Sequence, residues 1–334
     1  MRQAESAAFL ARIGWAGAGR RFLAGDASAR EYERVQLGAK KAVLMDAPPG
    51  CGDDVGAFHR IAAHLLSLGL SAPRIYALDE AAGFMLIEDL GDRIFARLIG
   101  DDPVLELPLC LAAAEALMVL QSAPAPRGLP DLTAEDWAAS ALFAPEFYAR
   151  GATGVVPDAR GFEEALRAAL QTHADGPRVL ILRDFHAENL LWLPAREGVA
   201  RVGLLDFQLG QLGQPEYDLV SLLQDARRDV SGATEAAVLE AFARARGRQV
   251  ADIAPAYATL GALRALRILG IFARLNMLAG KDRYLAFLPR VWGQLMRNLA
   301  HPVLADLRAE VQAILPGPDE DVIERIRACR LPSP

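Results

Sequence analysis

The sequence predicts an α+β fold with two lobes, a small antiparallel sheet followed by a larger and mainly helical part. The first observation is a series of short apolar runs separated by turn residues before residue 90, which is typical of strands. The second is a set of long apolar segments after Asp101, which is typical of helices. We therefore expect residues 1–90 to form the N-terminal lobe and residues 91–334 to form the C-terminal lobe.

The elements of the N-terminal lobe follow from this pattern. Residues 3–15 carry an apolar stripe that predicts a helix, and residues 53–68 predict a second helix that ends at a glycine. Small, turn-prone residues at 25–30 would let backbone N–H groups approach phosphates, although an ordinary hairpin turn has a similar composition. Strand-like apolar runs predict five strands, at 21–25, 32–37, 41–45, 74–78 and 83–88.

The C-terminal lobe is expected to be helical apart from two short strands at 180–207. The apolar stretch 257–278 also contains three arginines that fall close together on a helical wheel. We therefore expect an amphipathic helix packed against the core here, rather than a membrane span. Further helices are predicted at 108–121, 136–143 and 162–172.

Composition limits the classes of function. The chain has 334 residues, of which 52% are hydrophobic and 23% charged, as in ordinary globular proteins with a sizeable core. Its net charge of -6 argues against nucleic-acid binding. Charged residues interrupt the N-terminus, so no signal peptide is expected, and three scattered cysteines indicate free thiols in a reducing compartment. We expect a cytoplasmic protein that associates with neither nucleic acid nor membrane.

Three polar side chains interrupt the apolar runs between residues 180 and 207. Asp184 and Asn189 follow the first run, and Asp206 ends the second. Unpaired polar groups in buried strands each cost roughly 2–7 kcal/mol, so these residues need partners such as a divalent cation and a phosphoryl group. Kinase-like folds use this spacing to place a catalytic carboxylate and two magnesium ligands. Capping residues at two strand-end turns are the alternative interpretation.

These motifs resemble the aminoglycoside phosphotransferase/choline kinase group, which shares the protein-kinase fold. That group usually carries His-Gly-Asp-x4-Asn in its catalytic loop, whereas Leu182 and Arg183 precede the aspartate here. The resemblance implies ATP and Mg²⁺ as cofactors and Asp184 as the catalytic base. It also implies that Asn189 and Asp206 are the metal ligands.

Two further residues are expected to support this loop. Arg183, beside the catalytic residue, is expected to stabilise the loop rather than to contact phosphate. The resemblance implies that Asp218, within a Tyr-Asp-Leu segment, braces the backbone of the loop. It also implies a hinge between the lobes, where the backbone of Glu88 and Leu90 would meet the adenine edge. A surface turn is the alternative interpretation of the hinge segment.

The phosphate contacts are expected to depart from the family pattern. The resemblance places Ser28 and Ala29 in the hairpin that covers the nucleotide phosphates. The strand that usually carries a phosphate-binding lysine has Met45 at that position. We therefore expect Arg30 or Arg34, from the hairpin, to supply the missing cation.

The acceptor site is expected in the segment after Asp218. Two arginines beside Asp225 suit a neutral or anionic polyol better than a polycationic aminoglycoside. Asp225 would accept hydrogen bonds from sugar hydroxyls, and Arg228 would meet a carboxylate or carbonyl group. Glu216 is a third candidate for substrate contact. A solvated helix end with mixed charges would explain the same residues.

The segments 45–49, 87–92, 182–190 and 217–227 resemble the bacterial anomeric sugar kinases of cell-wall recycling. Those enzymes use ATP to phosphorylate the C1 hydroxyl of N-acetylmuramate and N-acetylglucosamine. The resemblance implies a monomeric amino-sugar kinase. Two alternatives stay open: a kinase of aminoglycosides, choline or homoserine, and a non-catalytic nucleotide-binding protein, which the missing lysine would suit.

Overall fold

The structure, a computed structural model, describes residues 2–25, 30–51 and 55–332. The chain folds into two compact units, and each is formed by two separate stretches of sequence. The first unit contains Met1–Gly128 and Leu182–Gly210, and the second contains Leu129–Ile181 and Gln211–Pro334. The lobe boundary expected near residue 90 stays a prediction.

A five-stranded antiparallel sheet organises the first unit, with the strand order β1-β2-β3-β5-β4. Each expected strand is confirmed, with ends that differ by no more than two residues. Helices α1 (Gln3–Arg12) and α2 (Val55–Ser67) accompany the sheet. The strands are β1 (Gly19–Gly25), β2 (Glu31–Leu37), β3 (Lys40–Asp46), β4 (Ile75–Asp79) and β5 (Phe84–Ile87).

The two faces of this sheet differ because successive side chains in a strand point to opposite sides. On one face, Phe9 and Leu10 of α1 pack in a core cluster with Val35, Leu44 and Leu86. On the other face, the β2–β3 register pairs Tyr32 with Met45 and Arg34 with Val43. The second face therefore carries the residues that the sequence associates with phosphate binding.

A short antiparallel ribbon carries the polar motif of the first unit. Strand β7 (Leu190–Trp192) pairs with β8 (Val202–Leu204), so that Leu190 lies opposite Leu204. The backbone N–H of Leu205 donates to the carbonyl of Asn189 at 2.9 Å. The ribbon thereby places Asn189, at the end of the loop that contains Asp184, next to Leu205 and hence close to Asp206. Helices α3 (Phe95–Asp101) and α4 (Glu106–Ser122) complete this unit.

The second unit is mainly helical and also contains the two-stranded pair β6 (Val179–Ile181) and β9 (Gln211–Gly213). A π-helical turn covers Ala144–Ala149. The helices are α5 (Ala134–Ser140), α6 (Arg150–Thr153), α7 (Arg160–His173), α8 (Glu216–Leu223), α9 (Gly232–Ala245), α10 (Val250–Ala279), α11 (Leu288–Leu299), α12 (Ala305–Ile314) and α13 (Glu320–Ala328).

Helix α10 packs in the core, as expected, but it is buried more completely than an amphipathic helix would be. Two helical stretches, Pro103–Ser122 and Val250–Ala279, are long and apolar enough to span a membrane by length and composition, but 78% of the most apolar window of the second is buried in the protein. Arg264 is itself buried, and its Nη1 donates to the carbonyl of Gln224 at 3.3 Å. This hydrogen bond lets an arginine lie inside the helical unit.

Candidate active site

Two residues of the polar motif adopt an unusual backbone conformation. Arg183 has a φ of 71° and Asp206 a φ of 55°, and within the described ranges no other residue except glycine has a positive φ. An L-residue in the left-handed region costs roughly 1–2 kcal/mol, and such strain persists mainly where function requires it. The strain therefore coincides with one predicted metal ligand and with the neighbour of the predicted catalytic base.

The loop from Leu182 to Asn189 is closed by hydrogen bonds around Asp184. The Asp184 N–H donates to the Leu182 carbonyl at 2.9 Å, and the His186 N–H donates to the Asp184 carbonyl at 3.1 Å. Nδ2 of Asn189 also donates to the Asp184 carbonyl, at 2.9 Å. Because Nδ2 is used in this way, Oδ1 of Asn189 is the side-chain atom available to a ligand.

The carboxylate of Asp206 binds its neighbours through one oxygen. Nη2 of Arg30 lies 2.9 Å from Oδ1, and Nε2 of Gln208 donates to the same oxygen at 2.8 Å. No described residue donates to Oδ2, and the Asp206 side chain is 30% exposed. One carboxylate oxygen is therefore held by protein while the other stays accessible.

These oxygens fit a magnesium ion. Oδ1 of Asn189 and Oδ2 of Asp206 are hard donors, and both residues line the same cleft. Mg²⁺ is usually held by one or two carboxylates together with water and substrate phosphates, rather than by an all-protein cage. Within residues 2–25, 30–51 and 55–332, no group of three or more His, Cys, Asp or Glu side chains forms such a cage. The donor set therefore suits a metal shared with a phosphate-bearing ligand.

The cleft beside these oxygens has a volume of about 380 Å³, which is in the range of small-molecule sites. Its lining combines apolar side chains from the sheet with the polar end formed by Asn189 and Asp206. Phe207 is anchored beneath it against Phe58 of α2, with ring centroids 4.7 Å apart. The apolar lining includes Tyr32, Val43, Ile87 and Leu191.

The predicted hinge residues also line this cleft, since Glu88 and Leu90 both contribute to its wall. The carboxylate of Glu88 accepts from Nη2 of Arg196 at 2.6 Å and from the backbone N–H of Arg74 at 3.3 Å. The Glu88 side chain is therefore occupied by protein groups. Its predicted contact with adenine through the backbone stays a proposal.

The two candidate cations have different partners. Arg30 is 5% exposed and is paired with Asp206. Arg34 binds the hinge segment instead: its Nη2 donates to Asp89 at 3.0 Å and to Asp92 at 2.9 Å. The Arg34 hydrogen bonds lower the pKa of the exposed Asp92 carboxyl. Ser28 and Ala29 lie outside the described residues, so their predicted phosphate contacts stay expectations.

The substrate and support candidates of the second unit are more buried than expected. Asp218 is fully buried on α8, and Glu216 is also buried, which raises the pKa of its carboxyl. Asp225 is fully buried: its Oδ1 accepts from the backbone N–H of Arg227 at 2.9 Å, and its Oδ2 has no partner among the described residues. Asp225 is therefore not part of a solvated helix end. Arg228 is half-buried.

The family of the chain is shown by comparison with known proteins. The model of the phosphotransferase enzyme family matches residues 19–263. The chain belongs to this family. The expectation of a phosphotransferase is therefore confirmed, while the role of each residue within it stays a prediction.

Two relatives with assigned names match most of the chain. The chain is 40% identical to the N-acetylmuramate/N-acetylglucosamine kinase of Caulobacter vibrioides, over 94% of this chain and 97% of the relative. It is 30% identical to the protein of the same name from Pseudomonas aeruginosa, over 87% of both chains.

Among solved structures, a choline/ethanolamine kinase family protein from Mesorhizobium loti has a TM-score of 0.61 at 18% identity and covers 94% of this chain and 100% of its own. An ADP-bound aminoglycoside phosphotransferase also has a TM-score of 0.61, at 14% identity, and covers 92% of this chain and 99% of its own. These distant structures confirm the expected α+β, kinase-like fold.

Sequence reasoning did not identify Gln208 as part of this phosphotransferase site. Gln208 occupies the position of the usual glycine after Asp-Phe, and its amide nitrogen holds Oδ1 of Asp206. A polar residue in place of a glycine was the available signal. The Arg196–Glu88 ion pair was also missed, because the two residues are 108 positions apart and no motif links them.

Proposed function

We propose that this protein is an ATP- and Mg²⁺-dependent kinase that phosphorylates the C1 hydroxyl of N-acetylmuramate and N-acetylglucosamine in bacterial cell-wall recycling. The observation that carries this proposal is the 40% identity to an N-acetylmuramate/N-acetylglucosamine kinase over 94% of the chain. Neither unit is long enough to account for such coverage alone, so the similarity extends over both of them.

Asp184 is the proposed catalytic base. Its carboxylate would orient the C1 hydroxyl and accept its proton as the oxygen attacks the γ-phosphorus of ATP. The bond from that phosphorus to the bridging oxygen then breaks, which yields a sugar 1-phosphate and ADP. An anomeric hydroxyl is more acidic than an ordinary alcohol, so a carboxylate base is adequate.

Asn189 and Asp206 are the proposed metal ligands, through Oδ1 and Oδ2 respectively. Bound Mg²⁺ would neutralise the negative charge of the β- and γ-phosphates. The hydrogen bonds from Gln208 to Asp206 and from Asn189 to the loop backbone fix both ligands before any metal binds. This pre-organisation lowers the entropic cost of assembling the site.

Arg228, Asp225 and Glu216 are the proposed sugar contacts. Arg228 would bind the lactyl carboxylate that N-acetylmuramate carries and N-acetylglucosamine lacks. We therefore expect Arg228→Gln to lower kcat/KM for N-acetylmuramate about tenfold or more, with a smaller loss for N-acetylglucosamine. Equal losses on the two sugars, measured under the same conditions, would contradict this role.

The test of the proposed function is ATP consumption with Mg²⁺ against N-acetylmuramate, N-acetylglucosamine, glucose, choline and kanamycin. We expect turnover on the two N-acetyl sugars, with ³¹P NMR of the product locating the phosphate at C1. Asp184→Asn should lower kcat about 10²–10⁴-fold while ADP binding is retained. Turnover on choline or kanamycin alone would replace the proposed substrate, and Mg²⁺-dependent nucleotide binding without any turnover would favour a non-catalytic protein.

A further inference from the structure

The strand position that usually carries the phosphate-binding lysine cannot supply a cation here. Met45 occupies it and is 1% exposed. Lys41 lies on the same face of β3 as Met45, but it is four positions away, which is about 13 Å along a strand. Lys41 is also exposed. A cation for the phosphates is therefore expected from outside β3.

Arg34 is poorly suited to this role because it is already bound to two carboxylates. Its guanidinium makes hydrogen bonds of 3.0 and 2.9 Å to Asp89 and Asp92, and its Nε lies 2.6 Å from Asp89. These contacts tie β2 to the hinge segment. Moving Arg34 to a phosphate would break all of them.

Arg30 lies near Met45, the residue that stands where the family usually has lysine. Its Nη1 donates to the hydroxyl of Tyr32 at 3.3 Å, and Tyr32 is the cross-strand partner of Met45. Its Nη2 lies 2.9 Å from Oδ1 of Asp206. Arg30 is thus a buried guanidinium placed between the expected phosphate-binding strand and a proposed metal ligand.

We propose that Arg30 replaces the missing lysine and exchanges partners when the metal binds. This inference rests on the proposed use of ATP and Mg²⁺. In the structure, Arg30 neutralises the carboxylate of Asp206 from Oδ1, and no described residue donates to Oδ2. With Mg²⁺ bound at Asp206, the carboxylate would no longer need Arg30 for neutralisation, and the hold on the guanidinium would weaken. The released guanidinium then binds the nucleotide phosphates, whose geometry suits its paired N–H groups.

This exchange couples the two ligands. Mg²⁺ alone competes with Arg30 for Asp206, whereas nucleotide stabilises the state in which Arg30 has left. Each ligand therefore increases the affinity for the other, and the coupling is reciprocal. Removal of the guanidinium should consequently move the two affinities in opposite directions, which a purely structural ion pair would not do.

The test measures binding separately from turnover. Mn²⁺, which accepts the same oxygen ligands, is titrated by electron paramagnetic resonance without nucleotide, and ADP is titrated by calorimetry with Mg²⁺. For Arg30→Met we expect Mn²⁺ alone to bind about three- to tenfold more tightly and ADP roughly tenfold more weakly. Loss of both affinities, or no change in either, would overturn the proposal.

Arg34→Met is the matched control, since it also removes one guanidinium, four positions further along the chain. It should leave the affinity for Mn²⁺ unchanged, because Asp89 and Asp92 are its partners. If Arg34→Met, and not Arg30→Met, bound Mn²⁺ more tightly and ADP more weakly, the exchange would belong to Arg34 and the proposal would be overturned. If Arg30→Met does not fold, Arg30→Lys carries the test: ADP should bind about threefold more weakly, and unchanged binding would overturn the proposal.

Failure of this inference is distinguishable from failure of the proposed function. Wild-type protein that shows the Mn²⁺–ADP coupling but phosphorylates neither N-acetyl sugar would refute the proposed acceptor and support the exchange. Turnover of both sugars by the wild type, together with unchanged affinities for Mn²⁺ and ADP in Arg30→Met, would support the proposed function and refute the exchange. Wild-type protein that binds no ADP in the presence of Mg²⁺ would overturn both.

Discussion

Replacement of Arg183 by glycine and by alanine tests the conformational strain beside the proposed catalytic base. Arg183 has a φ of 71°, a conformation that costs an L-residue roughly 1–2 kcal/mol. Glycine avoids this cost but loses about 0.4–1 kcal/mol through its greater freedom in the unfolded chain. Both variants remove the same guanidinium, so its contacts cancel in the comparison. We expect Arg183→Gly to be more stable than Arg183→Ala by about 0.5–1 kcal/mol.

The assay is thermal unfolding of the two variants in one buffer, where this difference corresponds to a shift of about 1–3 °C in Tm. The same two substitutions at Arg97, an exposed residue within helix α3, provide a control in which the order of stability should be reversed. There the alanine variant should be the more stable by about 1 kcal/mol, since glycine is a poor helix former. An Arg183→Ala variant as stable as Arg183→Gly, with the Arg97 pair behaving normally, would refute the strain at this position.

Two further predictions concern stability. Gly270→Ala should destabilise the protein by about 1–3 kcal/mol, because a new Cβ would lie 2.2 Å from the backbone of Phe143; Gly293→Ala, in a helix with open space around it, should stabilise it by about 0.5–1 kcal/mol. Equal Tm changes in the two variants would contradict the packing argument. The second prediction concerns Asp92, whose pKa is lowered by its hydrogen bonds with Arg34. These bonds therefore stabilise the fold fully at a pH above the ordinary carboxyl pKa. Their contribution is lost as the pH falls through the lowered pKa of Asp92 in the folded protein. The Tm difference between wild type and Arg34→Met should therefore shrink on acidification, and a difference that grows toward acid pH would contradict this sign.

The sheet of the first unit was predictable because its signal is local. Apolar runs bounded by turn residues set the strand ends, and the motif residues Asp184, Asn189 and Asp206 were recognisable from their spacing alone. Their backbone conformation was not. Aspartate is enriched among the few non-glycine residues with a positive φ, but most aspartates do not adopt one, and arginine gives no such signal, so the values at Arg183 and Asp206 could not be predicted from residue type.

Long-range pairs escaped prediction for a different reason. Arg30 and Asp206 are 176 positions apart, and the sequence offered Arg30 only as one of two candidate cations for the phosphates. The burial of Arg264 was also missed, because charge usually marks a solvent-facing helix surface. Its guanidinium donates to the Gln224 carbonyl, 40 positions away, a partner that no local pattern reveals.

The discontinuity of the first unit has a consequence for biosynthesis. Leu182–Gly210 belongs to that unit but follows the 53 residues Leu129–Ile181, which belong to the other. The returning ribbon is bound to the earlier chain: the Leu204 N–H donates to the Ser71 carbonyl at 2.8 Å, and the Ser71 hydroxyl donates to the Ala200 carbonyl at 2.6 Å.

At about 5–20 residues per second, the ribosome needs roughly 4–16 s to go from Gly128 to Gly210. During that interval helices α3 and α4 and the segment around Ser71 lack the ribbon that packs against them. Folding of the segment that bears the catalytic and metal-binding candidates is therefore a late event, and nascent chains stalled before Gly210 should be substrates for chaperones.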